Sequence, residues 1–161
     1  MKKAILLATI VLSACSPSSS QQHQTETLQP PARFSNIADW DGADKLISIS
    51  GFKPVTTTMT TDDGCKIKRL VFEPETKPAS NLEFKCNKIN IYWTQFEEAE
   101  FSADNEQALN KARKFTAILS GSPDFVSRAL HGEIFDGDIT PAGYKINGSC
   151  QSDTCLLSLT Q

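Results

Sequence analysis

The sequence predicts an α+β fold in which a small antiparallel sheet of disulfide-stapled hairpins carries an αα-hairpin on one face. Three observations support this fold class. Two segments that contain cysteine pairs alternate apolar and polar residues with the two-residue period of a strand. A long segment repeats its apolar residues with helical spacing, and a second, shorter helical segment follows it directly.

The N-terminus predicts an exported chain. Lys2 and Lys3 precede an uncharged apolar run over residues 4–12, which is too short to cross a hydrocarbon core of roughly 30 Å. The run ends in Leu-Ser-Ala-Cys at residues 12–15, which resembles the lipobox of bacterial lipoprotein precursors. This resemblance implies that residues 1–14 are removed as a signal peptide. It also implies that Cys15 carries a diacylglyceryl group and an acylated amine, which together anchor a protein stably to a lipid bilayer.

The residues that follow Cys15 predict a tether. Residues 15–32 are rich in Ser, Gln, Thr and Pro, and such a stretch buries too little apolar surface to fold. Residues 33–161 are then expected to form a single α+β domain. Ser16 stands where an Asp tends to keep Gram-negative lipoproteins in the inner membrane. The resemblance therefore implies the outer membrane facing the periplasm, with cell-surface exposure as the alternative, and a Gram-positive source would void this inference.

Charge argues against two classes of partner. The whole chain has a net charge of −3, and removal of Lys2 and Lys3 with the signal peptide leaves a value near −5. The basic residues are scattered, so the chain lacks the electrostatic footprint of a protein that binds nucleic acid or anionic lipid headgroups. We therefore expect no nucleic-acid partner.

Several elements can be placed along residues 33–161. Residues 43–50 fit either a short helix or a strand, whereas residues 54–61 and 89–93 predict strands. Apolar residues in Ser102–Ser120 have helical spacing, and Gly121 is a typical helix stop. A second helix is expected to open at residues 122–124 and to end at Gly132.

With Cys15 assigned to lipid, four cysteines remain, and an exported compartment permits disulfides. The strand patterns favour two pairs within hairpins, Cys65–Cys86 and Cys150–Cys155. A zinc site or a redox-active dithiol is the alternative, but neither pair has CxxC spacing.

In the first hairpin, direct facing of the two cysteines would set the register. Ile67 then faces Phe84, with Val71 on the same face, and Arg69 faces Leu82. Residues 74–79 form the turn. The other face carries mainly charged side chains: Lys66, Lys68, Glu83 and Lys85. Three residues depart from this pattern: Arg69, Leu70 and Phe72.

In the second hairpin, the same argument places residues 151–154 in the turn. Ile146 then faces Leu159, and Gly148 faces Leu157. Polar residues share the opposite face, with Leu156 as the exception.

The densest set of functional groups lies in residues 131–138. His131, Glu133, Asp136 and Asp138 are weak candidates for acid–base catalysis or metal binding. Structural roles explain them more simply, because a histidine at a helix C-terminus complements the helix dipole and Asp136-Gly137-Asp138 is typical of a turn.

A second acidic set, Asp39, Asp41 and Asp44, provides weak candidates for a metal site. The set lacks the ligand spacing and the closing glutamate of an EF-hand loop, so capping and turn roles are favoured. A third group, Glu97, Glu98 and Glu100, is expected to form a solvated face before a helix. No cofactor is expected.

The sequence lacks a G-x-S-x-G motif and a phosphate-binding glycine loop, and residues 33–161 contain a single histidine. These observations favour a non-enzymatic, lipid-anchored envelope protein that binds another protein, as an assembly accessory, an inhibitor or an immunity protein. An envelope hydrolase using carboxylates near His131 is the first alternative. A metal-binding or sensing module is the second.

Overall fold

The structure of this chain is a computed structural model that describes residues 40–161, with side chains from residue 42 onward. The signal peptide, Cys15 and the tether predicted from the sequence lie outside the described residues. Within them, three α-helices and seven strands follow one another: α1 (Trp40–Ser50), β1 (Thr56–Asp62), β2 (Cys65–Val71), β3 (Ser80–Lys85), β4 (Lys88–Thr94), α2 (Ser102–Ser120), α3 (Asp124–Leu130), β5 (Phe135–Ile139), β6 (Lys145–Gln151) and β7 (Thr154–Thr160), with a short 3-10 helix at Ala99–Phe101 directly before α2.

The seven strands form one antiparallel sheet in the order β1-β2-β3-β4-β7-β6-β5. Each of the pairs β1–β2, β2–β3, β3–β4, β5–β6 and β6–β7 joins strands that are consecutive in the chain. The pairing of β4 with β7 brings the two runs of strands together across the intervening helices. The α+β fold class predicted from the sequence is confirmed.

The hydrophobic core lies on one face of the sheet. A cross-strand row on this face is apolar, apart from a glycine, from β2 to β5: Leu70, Leu82, Ile91, Leu157, Gly148 and Phe135. Side chains from all three helices pack on it, including Leu46 of α1, Phe115 of α2 and Val126 of α3, and all are buried. Because strand side chains alternate between faces, the helices cover one side of the sheet.

Helix α2 has the predicted bounds. It ends at Gly121, whose φ of 84° is the left-handed conformation that terminates helices, and whose N–H donates to the Ala117 carbonyl. Helix α3 begins two residues after Ser122, whose hydroxyl accepts a hydrogen bond from the Asp124 N–H at 3.1 Å. The two helices form the predicted αα-hairpin. Within the described residues, no helix is both long and apolar enough to span a bilayer.

Residues 43–50, which fitted a helix or a strand, belong to helix α1. Ala43, Leu46 and Ser50 are buried and follow the i, i+3, i+7 spacing of one helix face. Ile47 packs beside this face, while Ile49 is exposed. The apparent alternation of the two isoleucines therefore reflects two different sides of a helix.

Both predicted disulfides, Cys65–Cys86 and Cys150–Cys155, are present. The predicted register of the second hairpin is also confirmed. Cys150 faces Cys155 across β6 and β7, and Ile146 faces Leu159. A two-residue turn at residues 152–153 joins the strands.

The predicted register of the first hairpin is wrong by one residue. Leu70, not Arg69, faces Leu82, and Arg69 faces Glu83. The reason is that Cys86 is not part of a strand. It occupies the turn between β3 and β4 with a φ of 48°, so its disulfide to Cys65 does not join directly facing strand residues.

The corrected register changes which residues face the helices. Ile67 and Val71 lie on the face away from the helices, whereas Leu70 is fully buried beneath them. Lys68 also points toward the helices and is buried, where its ammonium group binds Asp44 of α1 at 2.7 Å. The predicted facing of Lys68 and Glu83 is wrong for the same reason.

The predicted turn at residues 136–138 is also wrong, because these residues belong to strand β5. A β-bulge lies between Asp136 and Asp138, and Gly137 takes a φ of 81° within it. A bulge uses the same residue types as a turn while the chain stays in the sheet.

Candidate functional site

The face of the sheet opposite the helices, here called the open face, carries a continuous row of polar residues. Each member of this polar row faces the next across a pair of strands, from β1 to β5. The row consists of Thr58, Arg69, Glu83, Asn90, Ser158, Asn147 and Asp136. No helix of the described residues packs on this face. The row therefore forms a polar band across the whole width of the sheet, on the face that no described helix covers.

Glu83 is the centre of a hydrogen-bond network in the polar row. Nε and Nη2 of Arg69 donate to Oε2 of Glu83 at 3.3 and 2.7 Å. Nδ2 of Asn90 donates to Oε1 at 3.0 Å, and the Tyr92 hydroxyl lies 3.5 Å from the same oxygen. Glu83 is only 7% exposed although it lies on the open face. Its carboxylate is therefore held by neighbours on both sides.

Asn90 links the carboxylate to strand β7. Its Oδ1 accepts a hydrogen bond from the Ser158 hydroxyl at 2.6 Å, and its Nδ2 also lies 3.0 Å from the Tyr92 hydroxyl oxygen. The amide oxygen thus faces a hydroxyl donor and the amide nitrogen faces a carboxylate. This arrangement fixes the orientation of a buried side chain and couples four strands through side chains.

The network shifts the pKa values of Glu83 and Tyr92. Burial alone would raise the pKa of Glu83, but hydrogen bonds from Arg69 and Asn90 and the charge of Arg69 outweigh it, so that the pKa lies below its ordinary value. Burial, together with the negative charge of Glu83, raises the pKa of Tyr92. At neutral pH the site therefore holds an ionised carboxylate beside a neutral phenol.

Apolar and aromatic side chains flank the network on the open face. Tyr92 faces Leu156 across β4 and β7, and both are half-buried. Ile67 and Val71 lie half-buried on β2 on either side of Arg69, whose own side chain is 55% exposed. The result is a broad surface with a rigid polar centre and partly apolar surroundings.

The candidate residues around His131 make local contacts at the end of α3 or lie on β5. His131 lies at the C-terminal end of α3, as the sequence predicts, with Nδ1 2.7 Å from the Ser127 carbonyl oxygen. Glu133 pairs with Arg128, whose Nε donates to Oε2 at 2.7 Å. The hydrogen bond and the charge of Arg128 lower the pKa of Glu133. These contacts lie at the C-terminal end of α3.

The two aspartates of this group point away from each other. Asp136 faces Asn147 and Asp138 faces Ile146, and these neighbouring residues of β6 project to opposite faces of the sheet. The bulge thus separates the two carboxylates. In the part of the chain with described side chains, no three His, Cys, Asp or Glu residues are arranged to hold a metal ion.

Of the second acidic set, only Asp44 has a described side chain, and it pairs with Lys68. Asp39 and the side chain of Asp41 lie outside the described residues. The third acidic group contributes to an open hollow of about 540 Å³ where the end of β4 meets the β6–β7 turn. Its lining comprises Gln95, Phe96, Glu97, Glu98, Phe101, Ser152 and Asp153.

The sequence did not predict the polar row, because the row depends on the register of the first hairpin. Arg69 was an exception to the pattern in the predicted register, and that exception was the available signal. Shifting the pairing by one residue removes it by placing Arg69 opposite Glu83.

No protein-family model matches this chain, and no curated protein or solved structure is significantly similar to it.

Proposed function

We propose that this chain is a lipid-anchored protein of the bacterial cell envelope that binds another protein through the open face and performs no catalysis itself. The observation that carries the proposal is the polar row, a prearranged set of side chains across a sheet face that no described helix covers. The partner would be an envelope protein, and the chain would serve as an assembly accessory, an inhibitor or an immunity protein.

The shape and composition of the open face support a protein partner. The face is a broad sheet surface, whereas small molecules are usually bound in concave pockets that enclose most of their surface. Arg69 and Tyr92 belong to the residue types that contribute most to binding energy at protein interfaces. Both contact Glu83, so part of the entropy cost of ordering them is met before binding.

The N-terminal sequence supports the location. The lipobox-like residues 12–15 and the polar residues 15–32 would place the folded part near a membrane but free to move away from it. A tethered binding module needs only modest affinity, because tethering raises the effective concentration of a partner in the same compartment.

The test combines identification of a partner with open-face substitutions. The tagged full chain is crosslinked in cells of its source organism, and a stoichiometric partner is then purified and its affinity measured. We expect Arg69→Ala and Tyr92→Ala to weaken this affinity at least about tenfold, as expected for interface hot spots. Asn110→Ala and Lys114→Ala, at exposed positions of α2, are matched controls and should leave it unchanged.

Two outcomes would contradict the proposal. One is an affinity that none of the open-face substitutions changes, with thermal unfolding showing that the variants are folded. The other is hydrolysis of an envelope polymer by the purified full chain that Asp136→Ala or His131→Ala abolishes, because that result would establish the enzymatic alternative.

The anchor has its own test. The parent chain should incorporate labelled palmitate and sediment with membranes, and Cys15→Ser should abolish both properties. Incorporation of label by the Cys15→Ser variant would show that this cysteine is not the lipidation site.

A further inference from the structure

The edge strand β1 lacks the features that usually prevent edge strands from pairing with other chains. All seven of its residues are exposed, and among the residues that the structure describes it pairs only with β2. Residues 56–61 contain no charge, proline or glycine, and no bulge interrupts the pairing with β2. The one charged residue of the strand, Asp62, lies at its end and pairs with Lys85. Natural sheets generally protect an edge by one of these means, because its unpaired N–H and C=O groups can accept another strand.

The opposite edge of the same sheet has such protection. Strand β5 has five residues, a bulge and two carboxylates, from Asp136 and Asp138. The two edges of this sheet therefore differ in how well they are protected against pairing with another strand.

The β1–β2 turn shows which backbone groups of β1 are free. Asp63 and Gly64 both have positive φ values, 49° and 74°, which identify a two-residue type I′ turn. In such a hairpin the closing pair, Asp62 and Cys65, is hydrogen-bonded, and hydrogen-bonded pairs then recur at every second residue. Even-numbered residues of β1 therefore bond to β2.

The outward backbone groups belong to the odd-numbered residues Thr57, Met59 and Thr61. The free segment does not continue to Val55, because the Val55 N–H donates to the Val71 carbonyl at 2.7 Å. Met59 is the middle of the three. The unpaired donors and acceptors of β1 are thus symmetric about one residue.

From this symmetry we infer that β1 pairs with β1 of a second copy of the chain, antiparallel and about a twofold axis at Met59. In this register Met59 faces Met59 of the other copy, and Thr57 faces Thr61. The Met59 pair and the two symmetry-related pairs of Thr57 with Thr61 are hydrogen-bonded pairs, which contribute two bonds each and about six in all. Every outward donor and acceptor of both strands is matched, as a twofold interface requires.

The side chains suit the same register. Besides the pairing of Thr57 with Thr61, Thr58 faces Thr60, and threonine pairs are favourable across strands. Beyond the paired segment, Asp63 of one copy comes opposite the uncharged Val55 of the other, so that no like charges meet there. Like charges face each other nowhere within residues 56–62.

Other registers are poorer. A shift of the pairing by two residues toward the N-terminus places Thr61 opposite Val55, whose N–H is already engaged. A shift in the other direction places Thr57 opposite Asp63 in the turn, where the strand has ended. The strand pair is smaller than a standard interface of about 20–30 residues a side, so we expect a weak, concentration-dependent dimer.

A single introduced cysteine tests the register. In Met59→Cys, the two thiols of a dimer would lie on facing residues with Cα atoms about 5.5 Å apart, within the range for a disulfide. In Thr57→Cys, the two thiols would be offset by four residues, or about 13 Å, and cannot join. We expect oxidation of the full chain to give a covalent dimer with Met59→Cys and not with Thr57→Cys. The parent chain sets the background from Cys15.

A second measurement does not depend on cysteine chemistry. Light scattering of the full chain in detergent, over a range of concentrations, should show a dimer whose dissociation constant becomes at least about tenfold weaker in Met59→Lys, because two like charges then face each other. Ile139→Lys on the β5 edge is the matched control, since Ile139 and Met59 are 65% and 59% exposed, and it should have no effect.

The result that overturns the inference is a monomer at all concentrations with no covalent dimer from Met59→Cys. Equal crosslinking of Met59→Cys and Thr57→Cys, or equal weakening by the two lysine variants, would also overturn it. Loss of partner binding in the open-face variants leaves this result unaffected, so the dimer and the proposed function are tested separately.

Discussion

Replacing Glu83 with glutamine removes the negative charge at the centre of the polar row and keeps the size of the side chain. The two hydrogen bonds from Arg69, at 2.7 and 3.3 Å, then become bonds to a neutral acceptor. A hydrogen bond to a charged group contributes about 1.5–3 kcal/mol, against about 0.5–1.5 for a neutral pair, and because Arg69 stays charged only part of this difference is lost from each of its bonds. Because the Arg69 side chain is 55% exposed, water offsets part of the loss. We expect the free energy of unfolding at pH 7 to fall by about 1–2 kcal/mol.

The effect should depend on pH with a defined sign. The pKa of Glu83 in the folded chain lies below its ordinary value, so the ionised carboxylate binds its proton less readily in the folded than in the unfolded state. Its contribution is complete above the pKa of an unfolded glutamate, about 4.3, and is lost as the pH falls through the lower folded-state pKa. The difference between the parent chain and Glu83→Gln should therefore shrink below about pH 4.

Urea unfolding of both chains at a series of pH values, with the disulfides intact, measures this difference. Glu106→Gln is the matched control, because the Glu106 carboxylate is 74% exposed and lies 4.0 Å from Arg113. It should change the free energy of unfolding by less than about 0.5 kcal/mol. A loss no larger than that of the control, or one that grows as the pH falls, would refute the role assigned to Glu83.

Two further substitutions test contacts on the side of the sheet that the helices cover. Gly148→Ala should lower the free energy of unfolding by more than about 3 kcal/mol, because the added Cβ would lie 2.0 Å from a carbonyl oxygen of β7. Gly137→Ala should lower it by about 1–2 kcal/mol, because a Cβ at this position would meet open space. Similar midpoints of thermal unfolding for the two glycine variants would contradict this difference. Lys111→Met should lower the free energy of unfolding by about 3–5 kcal/mol, because it leaves the buried Glu73 carboxylate without its cation. Lys114→Met, at an exposed position of the same helix, should lower it by about 0.5 kcal/mol. A chemical unfolding series in which the lysine variants behave alike would show that the buried pair contributes little.

Local sequence signals predicted helices α2 and α3 and the second hairpin well, whereas they left residues 43–50 of α1 open between a helix and a strand. Helix α2 combines helical spacing of apolar residues with a terminal glycine, and the observed bounds agree with the prediction. In the second hairpin both cysteines lie within strands next to a short turn, so a facing pair and a disulfide coincide.

The first hairpin shows why a disulfide does not always fix a register. Cys86 lies in a turn, so the bond to Cys65 joins residues that do not face each other directly, and the predicted pairing was offset by one residue. A one-residue offset exchanges the two faces of a strand. The exposure of Leu70 that the predicted register required was the physical sign of the error.

Strand β5 and the polar row of the open face could not be predicted without knowledge of which strands pair. A bulge with Asp-Gly-Asp has the residue preferences of a turn, and only the pairing of Asp136 with Asn147 distinguishes the two. The polar row joins residues from all seven strands. Two of its neighbours, Asn90 and Ser158, face each other although they are far apart in the sequence. The alternation of apolar and polar residues within one strand does not show which distant strand it pairs with.

A photo-crosslinking amino acid placed at Tyr92, with a second full-length variant carrying it at Asn110 as control, tests the central claim most directly. Tyr92 lies on the open face and Asn110 at an exposed position of α2. Irradiation of cells should join one protein to the chain from Tyr92 and not from Asn110. A product of the same mass and yield from both positions, or one from Asn110 alone, would contradict the assignment of partner binding to the open face.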